Sequence, residues 1–427
     1  MKRYLIVLLL VMLAPLWLAG CAGADQPVIS FMVSGDTAEL AAYQTLVAAF
    51  ETEHPEIDIS LQHIPSEGEY RQRLAAGFSS GAAPDVMLIN YRRFGTFADQ
   101  GGLEPLTDYL AGSQLIAAGD FYPAAIDAFQ WQQDLWCVPQ NVSSLVVYYN
   151  RDLFDAAGVP YPAGEWTWLD FLAAAQALTR DLDGDGQIDQ YGVGLEPNLI
   201  RLAPFIWQNG GRLVDDQTNP TRLTLDEPAA LDAFLWFADL QVKHHVVPDA
   251  VAEAAETSES RFLNGTLGML FNSRRGVPTY RTITSFAWDV APLPRGRQQA
   301  SILHSDGYCM AATARDKDAA WTFIEFANSP AGQTIVAQTG RTVPSLIAVA
   351  ESDAFLEPNQ SPANSRVFLD ALSIMQRVPV MSTWIAIEET AGAEIERAFY
   401  GQIPVEAAID LAIQRTQTYF AQDSLPR

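Results

Sequence analysis

The chain has 427 residues, of which 49% are hydrophobic and 18% charged, enough for two or three domains with real cores. Its formal charge of −25 repels phosphate backbones and excludes nucleic acid as a partner. That charge keeps an exported protein soluble and says nothing about its ligand.

The first twenty residues read as a targeting segment. Lys2 and Arg3 give a positive start, an apolar run follows from Leu5 to Leu18, and "LAGC" closes it at Cys21. The run is too short and too abruptly ended by small residues for a membrane span, so it predicts a signal peptide. The cysteine at the cleavage point resembles the lipidated cysteine of bacterial lipoproteins. An ordinary secreted protein with a stray cysteine is the alternative. Dual acylation would anchor the chain stably, at about 0.8 kcal/mol per buried CH₂. The other two cysteines, Cys137 and Cys309, meet an oxidising setting after export. A disulfide and two small buried thiols both remain open.

After the polar linker "AGADQP", "VISFMVS" predicts a buried strand. A helix starts at Asp36, with Glu39 three residues on, and Leu40, Tyr43, Val47 and Phe50 recur at helical spacing until Pro55. Ile57, Ile59 and Leu61 alternate as in a strand. A helix from about Glu69 to Ser79 precedes the apolar "PDVMLIN". Strand, helix, strand, helix, strand is the order of an α/β protein with a parallel sheet. Further on, Leu145–Tyr149 predicts a strand and Asp152–Ala157 a short helix closed by Gly158. Thr167 with Asp170 opens another helix. "PAALDAFLWFADLQVKHH" is amphipathic, "SRFLNGTLGMLFNS" is helix end, glycine turn and strand, and "WDVAPLP" is a strand. A long helical region around 318–340 breaks near Pro330, and the tail from Trp384 is mostly helical.

In this order, "EYRQRLAAGFSSGAAPDVMLIN", "LWCVPQNVSSLVVYYNRDLFDAAGV", "EWTWLDFLAAAQALT", "NGTLGMLFNS", "DVAPLP" and "AAWTFIEFANSPAGQ" resemble the extracellular solute-binding proteins, family 1. These serve ABC importers of sugars. "VPVMSTWIAIEETA" is similar to the C-terminal stretch of maltose-binding-protein-like members. The resemblance runs from about Val28 to the C-terminus. It implies a two-lobed periplasmic-binding-protein-like fold of type II, with a ligand cleft between lobes joined by crossover strands. Carried over, the first lobe is 27–140 with 300–348, and the second is 145–298 with 352–427. The crossings fall near Gln140–Ser144 and Arg295–Ser301.

Sugars present hydroxyls at their edges and C–H groups on their faces, which suit polar side chains and aromatic rings respectively. In open α/β sheets ligands sit beyond the carboxyl ends of the strands. Together with the resemblance, this selects Ser34 and Asp36, Asn90 and Tyr91, Gln140 and Asn141, Asn272 and Arg274, and His304 and Asp306. Trp207 and Trp384 are the aromatic candidates, the latter because the resemblance places an aromatic against the sugar there. Each has a plainer alternative: Asp36 as a helix cap, Asp306 as a turn residue, Arg274 as a solvated charge. The expected function is capture of a sugar or oligosaccharide by hinge closure and delivery to ABC permease subunits, from a site anchored at the outer face of the cell membrane. ATP would be hydrolysed elsewhere, since no G-x-x-x-x-G-K-[ST] occurs. A glycoside hydrolase would need a carboxylate pair that nothing marks, and no nucleophile or zinc motif occurs. A sensor module presenting its solute to a receptor is a third reading.

"DLDGDGQID" stands apart. Asp181, Asp183, Asp185 and Asp189, with the Gln187 carbonyl and Gly186, fit the first nine positions of a calcium loop. The twelfth position is Gly192, which brings no ligand; Glu196 is the nearest substitute. The expectation is a Ca²⁺ staple away from the cleft, set against a solvated Asp-Gly turn. No other cofactor is expected.

Overall fold

The computed structural model describes residues 26–423. The targeting segment and Cys21 lie outside these residues. Strand β1 (Val28–Ser34) is flanked in parallel by β2 (Asp58–Ile64) and β3 (Val86–Asn90), with helix α1 (Thr37–Glu53) and helix α2 (Glu67–Ser80) as the crossovers. Asp36 caps α1 as expected: its carboxylate accepts the Ala38 and Glu39 amides at 2.9 and 3.0 Å, and Glu39 reaches back to the Asp36 N–H. The predicted apolar stripe buries Tyr43, Val47 and Phe50 against the sheet. Helix α3 (Phe94–Asp99) follows β3.

The chain returns through β4 (Cys137–Pro139) and crosses to the second lobe, where β5 (Val146–Asn150) begins. Helix α4 (Trp168–Leu178), β6 (Tyr191–Gly194), α5 (Leu199–Gln208), α6 (Pro228–Val242), β7 (Leu267–Asn272) and β8 (Trp288–Ala291) build that lobe. Local signals hold where they were read. Thr167 and Asp170 form a capping box, and Gly158 and Gly265 end their helices at φ 65° and 82°, a region that glycine enters without steric cost. Helix α5 was not foreseen: Pro204 stands inside "LIRLAPFIWQ", and an interior proline argues against a helix.

A short strand β9 (Ser301–Ile302) leads back to β10 (Asp306–Met310) in the first lobe, followed by α7 (Lys317–Ala327) and α8 (Pro330–Ala337). Strand β11 (Met375–Gln376) precedes the C-terminal helices α9 (Trp384–Phe399) and α10 (Val405–Asp423), which pack on α5 and α6.

The first sheet has order β2-β1-β3-β10-β4 and the second β8-β5-β7-β6. In each, one strand is antiparallel to its neighbours, β10 in the first and β5 in the second. Each of these two is the strand that has just arrived from the other lobe. It enters its sheet at the cleft edge and therefore runs against strands that leave toward that edge. Strand β5 is buried on both faces. Val147 and Tyr149 join one core, and Val146 and Tyr148 join a second core that Phe355 and Phe368 complete. A strand covered on both sides reads as an unbroken apolar run, as this one does.

Four segments lie side by side between the lobes. The Val142 N–H donates to Val343 O at 2.9 Å, Ser143 and His304 exchange backbone bonds at 2.7 Å, and the Leu303 N–H donates to Gln376 O at 2.9 Å. The second passage thus runs through Leu303–Ser305, a few residues beyond the expected Arg295–Ser301. Arg295 itself stays with the second lobe, its N–H donating to Trp166 O at 2.9 Å. Cys137 and Cys309 pair across β4 and β10 as a disulfide, with Cα atoms 4.3 Å apart.

Candidate functional site

The carboxyl ends of β1, β3 and β4 and the start of β10 face the second lobe. Asn90 and Asp306 are register partners there, and the Asn90 amide donates to the Asp306 carboxylate at 3.1 Å. The Asn90 carbonyl oxygen accepts from Arg92 Nε at 3.1 Å. The Arg92 guanidinium reaches across to Glu388 of α9, and the other Glu388 oxygen accepts from Trp384 Nε1 at 3.1 Å. Asp306, Asn90, Arg92, Glu388 and Trp384 thus make one polar chain from lobe to lobe. Burial works against the Arg92 charge, but the Glu388 carboxylate outweighs it and the guanidinium pKa is raised.

The first passage supplies the floor. The Gln140 N–H donates to Asp306 O at 2.9 Å, and the Asn141 side chain accepts the Asp306 N–H at 3.2 Å. The Gln140 amide is committed to the hydroxyls of Tyr43 and Tyr308, each at 3.0 Å. Gln140 therefore serves the floor's rigidity and presents nothing outward.

The second lobe adds Arg201, in the first turn of α5. One guanidinium nitrogen meets Glu196 at 3.1 Å, but Nε is buried with no partner. Burial lowers the Arg201 pKa, Glu196 partly restores it, and the Arg92 charge lowers it further. His304 Nε2 is likewise buried and unpartnered. Burial pushes its pKa well below 6.5, helped by Arg201 and Arg92, so the ring is neutral. Ser143 Oγ, on the backbone partner of His304, is the third such atom. Among the described residues four buried side-chain nitrogens or oxygens lack a partner, and three belong to this neighbourhood: Ser143 and His304 are bridge partners, and the Arg201 charge acts on His304. The fourth, Arg151 Nε, belongs to a guanidinium stacked over the Tyr161 ring. Each unmet group costs about 1–3 kcal/mol. The clustering therefore marks a place built for something that brings its own hydrogen-bonding groups.

Several expected site residues are committed elsewhere. Arg274 is fully buried behind the second sheet, bonded to Gly340 O, Ser365 and Glu357 and lying over the Phe355 and Phe368 rings. It is not a solvated charge: these bonds and rings enclose it completely, at the start of the 3₁₀ turn that follows β7. Trp207 lies on α5, 5% exposed within the apolar core. Trp384 is fully buried, and its indole edge is spent on Glu388. Tyr91 is buried too, its hydroxyl accepting the Val378 N–H at 3.4 Å. Asn272 donates to the Tyr280 hydroxyl at 2.6 Å. Asp36 caps α1 and meets Arg341 at 2.9 Å, and Ser34 is half-buried at the end of β1. Of the expected set, Asn90, Asn141, His304 and Asp306 come together, with Gln140 in the floor beneath them and Trp384 at the far end of the polar chain. Arg92, Ser143, Arg201 and Glu388 were not foreseen. Arg92 follows Asn90 by two positions and Glu388 follows Trp384 by one helical turn, so both stood within reach of a local rule. Arg201 had no such signal.

The Asp181–Asp189 loop lies outside this crossing. Asp181 accepts the Gly184 and Gly186 amides at 2.7 and 2.8 Å, and those bonds lower its pKa. Asp181, Asp183 and Asp189 each offer an oxygen within 4.8 Å of the others. Asp185 is not among them; its carboxylate accepts the Gln187 N–H at 2.7 Å.

Comparisons with known proteins agree with this architecture. Residues 34–334 match the model of the family described as bacterial extracellular solute-binding protein. A mannitol-binding protein from Pseudomonas aeruginosa is 24% identical over 438 residues, covering 95% of each chain. An ABC substrate-binding protein from Listeria monocytogenes, solved in complex with cycloalternan, superposes with a TM-score of 0.85 at 24% identity, over 93% of this chain and 100% of that one. A solute-binding protein from Thermotoga lettingae bound with α-D-tagatose gives 0.81 at 19% identity, over 92% and 100%. At these identities the two structures show the shared fold.

Proposed function

We propose, from the premise that this chain belongs to the bacterial extracellular solute-binding proteins, that it captures a sugar, oligosaccharide or sugar alcohol between its lobes and hands it to an ABC permease. The observation that carries the reading is the convergence of unpartnered Ser143 Oγ, Arg201 Nε and His304 Nε2 beside the Asp306–Asn90–Arg92–Glu388 chain. Vicinal hydroxyls both donate and accept. They would satisfy a neutral imidazole, a hydroxyl and a guanidinium N–H without bringing a charge to be neutralised. A mannitol-binding relative and neighbours holding cycloalternan and tagatose support that class.

Closure follows from the same groups. Arg92 and Asn90 stand on one lobe and Arg201 and Glu388 on the other, so a ligand touching both favours the closed form over the open one. Such differential affinity is what shifts the equilibrium. Export and lipidation at Cys21 would place the site outside the membrane, and a lipid anchor keeps it near the permease. Calorimetric titration with monosaccharides, mannitol and maltooligosaccharides is the test. Reversible binding without product release is expected. Binding of none of these, with tight binding of a peptide or metal chelate, would overturn the reading.

The reading extends to the Asp181–Asp189 loop, where calcium would act as a staple between α4 and β6, held by Asp181, Asp183 and Asp189. Hard carboxylate oxygens suit that ion. Millimolar calcium should raise the melting temperature in wild type and not in Asp183→Ala; equal shifts in both would retire the idea.

A further inference from the structure

We infer that the Cys137–Cys309 disulfide positions the ligand site, by clamping together the roots of the first and second passages between the lobes. The strand that launches the first passage, β4, is weakly held. It has three residues, lies at the edge of the sheet, and pairs only with β10, in the register Cys137 with Cys309, Val138 with Tyr308 and Pro139 with Gly307. Pro139 has no N–H to give the ladder, which is why proline is confined to edges. Yet the floor of the site hangs from this strand. The Gln140 N–H to Asp306 O bond continues its register, the Asn141 side chain then accepts the Asp306 N–H, and the Ser143–His304 exchange follows one residue out of step.

The load on that register is large. The two cysteines are 172 positions apart, and the chain between them contains the whole sheet of the second lobe. Any swing of that lobe pulls on both passages at once. A covalent link at the end away from the cleft holds the two roots together while the passages bend beyond it. The packing is built for this closeness. A Cβ on Gly307 would lie 2.9 Å from Cys137 Cβ and 2.9 Å from the Phe129 ring, so only glycine lets the strands approach here. Both cysteines are fully buried. The link is therefore a fixed part of the hinge, shielded from outside thiols.

The dissociation readout rests on the solute-binding reading, whereas the exchange readout does not. Hydrogen exchange of the full chain without ligand should show the amides of Gln140, Val142, Ser143 and His304 exchanging at least ~10-fold faster in Cys137→Ala/Cys309→Ala than in wild type. Amides of β1 and β7 should change far less, because local opening then dominates over global unfolding. If the double variant does not fold, wild type produced and kept in reductant gives the same comparison. For a saccharide found by titration, dissociation should also be about 10-fold faster, since most changes at a binding site appear in that rate. Uniform acceleration across all elements, no acceleration, or an unchanged dissociation rate with loosened passages would overturn the clamp. Failure of every saccharide to bind would strike the solute reading and leave the exchange result to decide this one.

Discussion

Arg274 and Arg201 are two arginines of the same lobe with opposite fates. Arg274 is wholly buried, yet its Nε donates to Gly340 O at 2.7 Å, its terminal nitrogens reach Ser365 and Glu357 at 3.0 and 2.9 Å, and aromatic rings cover its faces. Arg201 is 11% exposed, has one ion-pair partner that is itself mostly in solvent, and keeps a buried Nε with nothing to bond. Burial lowers both pKa values, to about 10 for Arg274. Burial alone therefore does not separate structure from function; completion of the hydrogen bonds does. A satisfied guanidinium holds parts of the protein to each other. An unsatisfied one costs free energy until something bonds it, and the proposed ligand would be that partner.

The sharpest break of this comparison is Arg274→Ala. Removing a partner from a buried, bonded pair costs about 3–5 kcal/mol. Chemical denaturation should show that loss, and affinity measured well below the melting point should not move. A weakened affinity with intact stability would reverse the two roles. Next in size is Arg201→Gln. Loss of a hydrogen bond from a charged group to ligand is worth about 1.5–3 kcal/mol, roughly 10- to 100-fold in Kd. Stability should hold or rise, and a stability loss as large as that of Arg274→Ala would make Arg201 structural.

The smallest effect concerns His304. Its folded pKa lies well below 6.5, so beneath that pH the unfolded chain binds a proton that the folded chain refuses. Stability is then full above 6.5 and declines as pH falls, by up to about 1.4 kcal/mol per pH unit. His304→Gln should remove that share of the decline between pH 7.5 and 5.5, read as the difference between two melting curves. Identical pH dependence in variant and wild type would mean that the ring protonates freely and that burial at the crossing does not hold it neutral.

Legibility in the sequence followed the range of the interactions involved. Asp36 with Glu39, Thr167 with Asp170, Gly158, Gly265 and Pro330 act within a few residues, and each set its helix boundary as read. The loops after β3 and before β10 could be named for the same reason, which brought Asn90, His304 and Asp306 into view. The tryptophans carried no such local rule. Trp207 and Trp384 were expected to meet a ligand face, but Trp207 packs in the second lobe's core and Trp384 is buried with its nitrogen on Glu388. An indole's composition is the same in either role, and only its neighbours differ. Helix α5 escaped for a different reason: Pro204 stands inside it, where a proline costs the helix a hydrogen bond and argues against one.

The sequence by itself determined the α/β class, most of the strands and helices in their order, and the turns where polar side chains would gather; the two lobes came with the family resemblance its motifs carry. The tertiary structure decided which of those side chains would be left without a partner. Arg92 finds Glu388 across 296 positions, and Asn90 finds Asp306 across 216. Ser143 Oγ, Arg201 Nε and His304 Nε2 find no partner. Whether a buried polar atom is satisfied depends on segments far away in the chain, and no local pattern records an absence at that distance.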